Sequence, residues 1–108
     1  MSEDRDAEIA RCLKAAKRIQ GNIRRYGLSS DRYGEWTEDF EQCLLEVMRL
    51  DPTNVEAPTV LGMHFLDERD APDVALMHLG KALKLKPADK KLQDAVGKAQ
   101  AALPKKRR

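Results

Sequence analysis

Residues 75–89 read ALMHLGKALKLKPAD, and thirty-five positions earlier residues 40–54 read FEQCLLEVMRLDPTN. Each stretch places apolar residues at three- and four-residue steps, the spacing that keeps them on one helix face. Each stops at a proline, Pro87 or Pro52, and the residue before a proline avoids helical geometry. Offsetting the chain by 35 residues superposes Phe40 on Ala75, Leu44 on Leu79, Val47 on Ala82, Leu50 on Leu85 and Pro52 on Pro87. The match continues past the prolines, with Asn54 on Asp89 and Leu61-Gly62 on Val96-Gly97. An internal period of this length is the signature of stacked helical hairpins. The competing reading is a plain five-helix bundle with a chance periodicity, which predicts no relation between successive hairpins.

Working outward, the pattern predicts five helices. Ile9, Cys12, Ala16, Ile19, Ile23 and Tyr26 form one continuous stripe, with Asp4 and Asp6 near its start and Arg24 and Arg25 near its end, as the helix dipole favours. Gly27 can stop that helix, and GLSSDRYGE (27–35) reads as a loop. A second helix is expected from about Trp36 to Leu50. TNVE (53–56) resembles a capping box, in which Thr53 and Glu56 exchange backbone bonds, so the third helix is expected to start at 53–55 and run to about Asp67. Asp70 is the expected N-cap, with Pro72 in the first turn, of a fourth helix over 71–85. A fifth runs from Pro87 or Ala88 to Ala102, with Leu92, Ala95, Val96, Ala99 and Leu103 as its apolar positions. The basic tail 104–108 has nothing to bury and is expected to be disordered.

The unit at 54–88 resembles the tetratricopeptide repeat. It reads Leu61-Gly62-x2-Phe65, then Ala75-x3-Leu79-x2-Ala82, then Pro87, against the family's Leu-Gly-x2-Tyr, Ala-x3-Phe-x2-Ala and Pro. Pro58 stands where the family has Trp, and the unit is one residue longer than the family's. Residues 13–53 read as a degenerate repeat, with Gln20-Gly21 in place of Leu-Gly and Phe40, Leu44 and Val47 in place of Ala, Phe and Ala. Residues 89–103 read as a capping helix. The resemblance implies an all-α, five-helix stack of antiparallel hairpins over residues 1–103. Gly62 and Gly97 would then allow close helix approach, and Phe65 and Leu79 would fill the space between helices.

Composition agrees with a helical chain and excludes several functions. The 108 residues are 42% hydrophobic, 35% charged and only 5% aromatic, enough for one core. No apolar run approaches the ~18 residues of a membrane span, and the polar N-terminus is not a secretory signal. A cytoplasmic protein is the expectation, with a nuclear one as the alternative suggested by the basic tail. Cys12 and Cys43 show no metal or redox spacing and read as reduced, half-buried helix residues. His64 and His78 lack partners at ligand spacing and read as surface or boundary residues. No phosphate loop and no nucleophile motif is present. The chain is therefore read as non-enzymatic, with no catalytic residue, metal or cofactor.

The net charge of +2 conceals segregation. Residues 1–10 carry −3, 11–30 carry +6, 31–56 carry −6, 57–86 are neutral and 87–108 carry +5. Such blocks give different faces to different partners; the plainer account is that oppositely charged helices are neighbours. In the resembled family the first helix of each unit lines a concave groove. Carried onto this chain, that groove takes Arg18, Asn22, Arg25 and Tyr26 from the first helix and Thr59, Val60, Met63 and Leu66 from the third. The fifth contributes Lys91, Asp94 and Lys98. An apolar centre with basic flanks suits an acidic peptide or partner protein, as in an adaptor or chaperone-like module. The carboxylate clamp of some family members falls on Arg18, Asn22, Val60, Lys91 and Ala95, where Val60 and Ala95 offer no donor.

Three alternatives stand beside this one. IQGNIRRYG (19–27) partly matches a calmodulin-binding IQ helix, without its following glycine and second basic residue. Arg11, Lys14, Lys17, Arg18, Arg24, Arg25 and the tail supply charge for nucleic acid, but Tyr26 is the only nearby aromatic, so a stacking platform is lacking. The helix from Trp36 to Met48 and the open end of the stack suit a homodimer.

Overall fold

The computed structural model describes residues 2–104, so Lys105–Arg108 of the expected tail lie outside the described residues. Among these residues the chain is helical: α1 (Ser2–Tyr26), α2 (Tyr33–Leu50), α3 (Glu56–Asp67), α4 (Pro72–Leu85) and α5 (Lys90–Ala102), with a short 3-10 turn at Gly27–Ser29. It divides into two compact units, Met1–Ala57 and Pro58–Arg108.

In the first unit α1 and α2 pack against each other. Their contact uses large side chains: Ile9, Ile19 and Ile23 are buried on α1, and Phe40, Leu44 and Val47 on α2. Gly27 adopts a left-handed φ of 56°, a conformation a side chain would strain, and this turns the chain out of α1. The segment read as a loop is shorter than expected because α2 begins at Tyr33 and not Trp36. Ser30 organises that early start: its Oγ accepts from the Arg32 amide at 3.1 Å and its carbonyl from the Tyr33 amide at 3.2 Å. Thr37, only 1% exposed, donates its hydroxyl to the Gly34 carbonyl at 2.9 Å, which satisfies a polar group in the core.

In the second unit α3 and α4 meet at Gly62. A Cβ built there would lie 2.6 Å from Leu79 Cγ and 3.2 Å from the Leu79 backbone nitrogen. Only glycine permits that approach, as the sequence pattern predicts. Ala75 and Ala82, small residues on the same helix as Leu79, are both fully buried. Gly97 does not repeat this role. A Cβ placed on it would meet nothing within 4 Å. Gly21, aligned with the Leu-Gly glycine of the degenerate unit, is exposed and equally free of neighbours. α5 packs on α4 through Leu92, Ala95 and Ala99.

Two expected caps are corrected. Thr53 does not cap α3; it donates its hydroxyl and amide back to the Asp51 carboxylate, at 2.6 and 3.0 Å. Asn54 is the cap, its Oδ1 accepting from the Ala57 amide at 2.9 Å, so α3 starts at Glu56. Asp70 does not cap α4 either. It takes a left-handed φ of 51°, which Asp tolerates better than most residues. The Ala71 amide then reaches back to the Phe65 carbonyl at 2.8 Å, closing the end of α3.

The 35-residue period is present in the backbone. After α2, the Asp51 amide donates to Val47, the Asn54 amide to Asp51, and the Ala57 amide to Asn54 Oδ1, at 2.8, 3.0 and 2.9 Å. After α4, the Lys86 amide donates to Ala82, the Asp89 amide to Lys86, and the Leu92 amide to Asp89 Oδ1, at 3.0, 3.1 and 3.0 Å. Every donor and acceptor is displaced by one period. The residue closing each helix shares its conformation, φ −143° and ψ 91° at Asp51 against φ −136° and ψ 74° at Lys86. Burial repeats too: Phe40 and Ala75, Leu44 and Leu79, and Val47 and Ala82 are buried in pairs.

Candidate functional site

The sequence-predicted binding residues fall on two units, and each set is described within its own. On α1, the buried stripe Ile9, Ala16, Ile19 and Ile23 leaves the opposite side to basic residues. Arg11, Lys14, Lys17, Arg18, Arg24 and Arg25 are all exposed. Arg11, Lys14, Arg18 and Arg25 recur at helical spacing and share one face. Arg11 is held by Glu8 one turn back. Lys14, Lys17, Arg18, Arg24 and Arg25 form no ion pair among the described residues. Asn22 is half-buried beside this row.

The row ends at an aromatic corner that sequence reading did not find. Tyr26, 49% exposed, lies with its ring centroid 5.8 Å from that of Trp36, the planes inclined by 36°. The Arg32 guanidinium sits 6.0 Å over the Trp36 ring and reaches Glu35 at 3.1 Å, a cation–π and ion-pair combination. Leu28, in the 3-10 turn that follows Tyr26, is 83% exposed. The absence of a second aromatic near Tyr26 is thus corrected: the hairpin turn brings Trp36 to it from ten residues away.

On the outer side of α2, Glu35, Glu38 and Asp39 are exposed. One hairpin therefore carries a basic helix and an acidic helix. The Arg32–Glu35 and Arg49–Glu46 pairs join residues one turn apart, at the start of α2 and near its end, and hold the helix itself. The Arg49 guanidinium keeps the Glu46 carboxyl below its ordinary range.

In the second unit, Thr59, Val60, Met63 and Leu66 of α3 present a partly covered surface. Lys91, Asp94 and Lys98 of α5 are exposed, on the side away from Leu92, Ala95 and Ala99. Ala95, one of the clamp positions without a donor, is buried at 8% exposure. His64 and His78 are not surface or boundary residues. At 5% and 6% exposure they flank Phe65, His78 stacking on it at 5.6 Å and 14°, His64 meeting it edge-on at 5.5 Å. They belong to the packing of the unit.

Cys12 and Cys43 are free and half-buried. Burial, followed by the negative charge of Glu8, pushes the Cys12 thiol above its ordinary value, and burial with Asp39 does the same to Cys43. Both are therefore neutral thiols near pH 7 and poor nucleophiles. No group of three or more His, Cys, Asp or Glu side chains gathers at metal-binding distance among the described residues. Two shallow depressions in the second unit are lined by Asp70, Pro72, Asp73, Ala102, Leu103 and Pro104, and by Met77, Gly80, Lys81 and Lys84. Neither contains a histidine, cysteine or hydroxyl group. No helix of the described residues is long and apolar enough to cross a membrane.

No family model matches the chain, and no curated protein matches it.

Proposed function

We propose that this chain is a non-catalytic, tetratricopeptide-like adaptor of the cytoplasm that binds an acidic peptide or partner protein. The observation that carries the reading is the repeated linker. The same three hydrogen bonds, with the same capping chemistry, recur 35 residues apart after α2 and after α4. A chance periodicity in apolar residues would not reproduce the caps. The close approach at Gly62 and the buried alanines at 75 and 82 support the same class. Repeat folds of this kind work by presenting helix surfaces to partners.

The partner's chemistry follows from the half-buried residues of α3 and the exposed ones of α5. Val60, Met63 and Leu66 offer apolar anchorage on α3, and Lys91 and Lys98 offer positive charge on α5. An acidic peptide with one large apolar side chain complements both. Fluorescence titration of such a peptide against the wild type and Lys91→Glu/Lys98→Glu tests this. Both lysines are exposed and the fold does not depend on them, so a loss of affinity of about tenfold or more is expected, the size of a lost charge-assisted contact. Equal affinity for the two proteins would remove α5 from the binding surface.

A further inference from the structure

The basic face of α1 leads, over about 21 Å between Arg11 and Arg25 at ~1.5 Å per residue, to the corner formed by Tyr26, Trp36 and Arg32. We propose that this hairpin is a binding surface for single-stranded nucleic acid, with the α1 cations tracking the phosphates and Tyr26 and Trp36 stacking a base. The inference stands on the first unit alone and does not rest on the adaptor reading.

Three observations meet here. The first is charge complementarity: Lys14, Lys17, Arg18, Arg24 and Arg25 are exposed and form no ion pair among the described residues. Cations with no protein counter-charge release condensed ions when they meet a polyanion, and that release drives binding. The second is the aromatic corner. Two rings 5.8 Å apart, one of them half-exposed, supply the π surface that a basic helix alone lacks, and the Arg32 guanidinium over Trp36 extends it. A charged track joined to aromatic faces is the recurring design for binding single strands without sequence preference. The third is the position of the acids. Glu35 is engaged by Arg32, and Glu38 and Asp39 are exposed on α2 without an ion pair to the α1 cations among the described residues, although Asp39 and Arg18 both act on the Cys43 thiol. Double-stranded nucleic acid fits less well, because its bases are stacked internally and would leave Tyr26 and Trp36 unused. An acidic peptide shares the charge but not the flat π face, and the test separates the two.

Trp36 is the only tryptophan, so its own fluorescence reports the contact. The probe is a twelve-nucleotide oligothymidylate added to the full chain, with a twelve-residue polyglutamate as the matched polyanion. The expected result is quenching by the oligonucleotide, with log affinity falling against log salt at a slope of about −2 to −3.5, for three to five phosphates neutralised. Tyr26→Ala, at an exposed position, should weaken the oligonucleotide about tenfold and leave polyglutamate binding unchanged. Arg18→Glu/Arg25→Glu should flatten the salt slope and weaken binding by more than about tenfold. Polyglutamate that binds and quenches as well as the oligonucleotide would overturn the proposal in favour of an acidic peptide surface. So would an unchanged affinity in Tyr26→Ala, or loss of all binding on deleting residues 105–108 alone.

Discussion

The α1–α2 and α3–α4 hairpins solve the same packing problem in different ways. In the first, Ile9, Ala16, Ile19 and Ile23 of α1 and Phe40, Leu44 and Val47 of α2 are the buried residues of two packed helices, and Gly21 is exposed with nothing near it. In the second, Gly62 lies against Leu79, and Ala75 and Ala82 occupy the places that Phe40 and Val47 hold one period earlier. The first hairpin is therefore joined through side-chain volume, the second through backbone proximity. Yet the linkers that follow α2 and α4 carry matching hydrogen bonds. The two hairpins agree where the backbone turns and differ where the helices touch. A backbone linker tolerates few conformations, whereas a helix interface accepts many combinations of large and small residues that fill the same space.

The largest test of that contrast is Phe40→Ala. It places the residue of α4 into the α2 position without the close approach that makes alanine sufficient there. The cavity left should cost about 3–5 kcal/mol, measured by urea unfolding. A cost no greater than a surface substitution would mean that α2 collapses onto α1 and the two packing modes are interchangeable.

Next are the two glycines. Gly62→Ala should destabilise by about 1–3 kcal/mol, because Leu79 is fully buried and its backbone nitrogen is part of the obstruction. Gly21→Ala should do the reverse and raise stability by about 0.8–1 kcal/mol, the helix-propensity gain at an exposed site with nothing in contact. Thermal melts of the pair, moving in opposite directions, would confirm the asymmetry. Two shifts of the same sign would erase it.

The linkers should respond alike. Asn54→Ala and Asp89→Ala each remove one side-chain cap and should each cost about 1 kcal/mol, in separate variants followed by circular dichroism. A large difference between them would show that the shared hydrogen bonds are not equivalent in energy.

The smallest expected effect separates the linkers by pH. Asp51 accepts two bonds from Thr53, which hold its carboxyl below the ordinary range, and Lys86 at the matching position has no such group. A carboxyl depressed on folding stabilises above its unfolded value and loses that contribution as pH falls through its folded value. Thr53→Val should therefore melt slightly below wild type at about pH 6, with the gap closing as the pH is lowered past the carboxylate range. A gap that stays constant down to about pH 2 would show that the Thr53 bonds do not depend on the charge of Asp51.

The cysteines, histidines and aromatic corner show where sequence reading stops. Helix number and order, the terminating prolines, the period and the charge blocks were all legible, because these signals act over a few neighbouring residues. Of the candidate site, Arg18, Arg25, Lys91, Asp94 and Lys98 were named as groove residues only through the resemblance, and the structure leaves all five exposed. The choice of Asn54 over Thr53 as cap was not legible, since both residue types cap helices and a shift of one residue in the turn decides between them. Nor was the inward placement of His64 and His78, whose rings become packing surfaces only once Phe65 lies between them. Gly62 and Gly97 looked equivalent in the sequence, with Gly21 in a degenerate counterpart. Only Gly62 faces a partner helix, because which side of a helix meets its neighbour depends on how the two are rotated together.

By itself, then, the amino-acid sequence determined that this protein is helical, where its helices stop, and that its two proline-containing linkers match across 35 residues. Local backbone preferences, proline and alternating polarity suffice for that. The tertiary structure alone decided that Tyr26 and Trp36 meet at the end of a basic row in which only Arg11 has an ion-pair partner among the described residues. That contact joins residues ten apart across a turn, and only the packing of α1 on α2 brings their rings together.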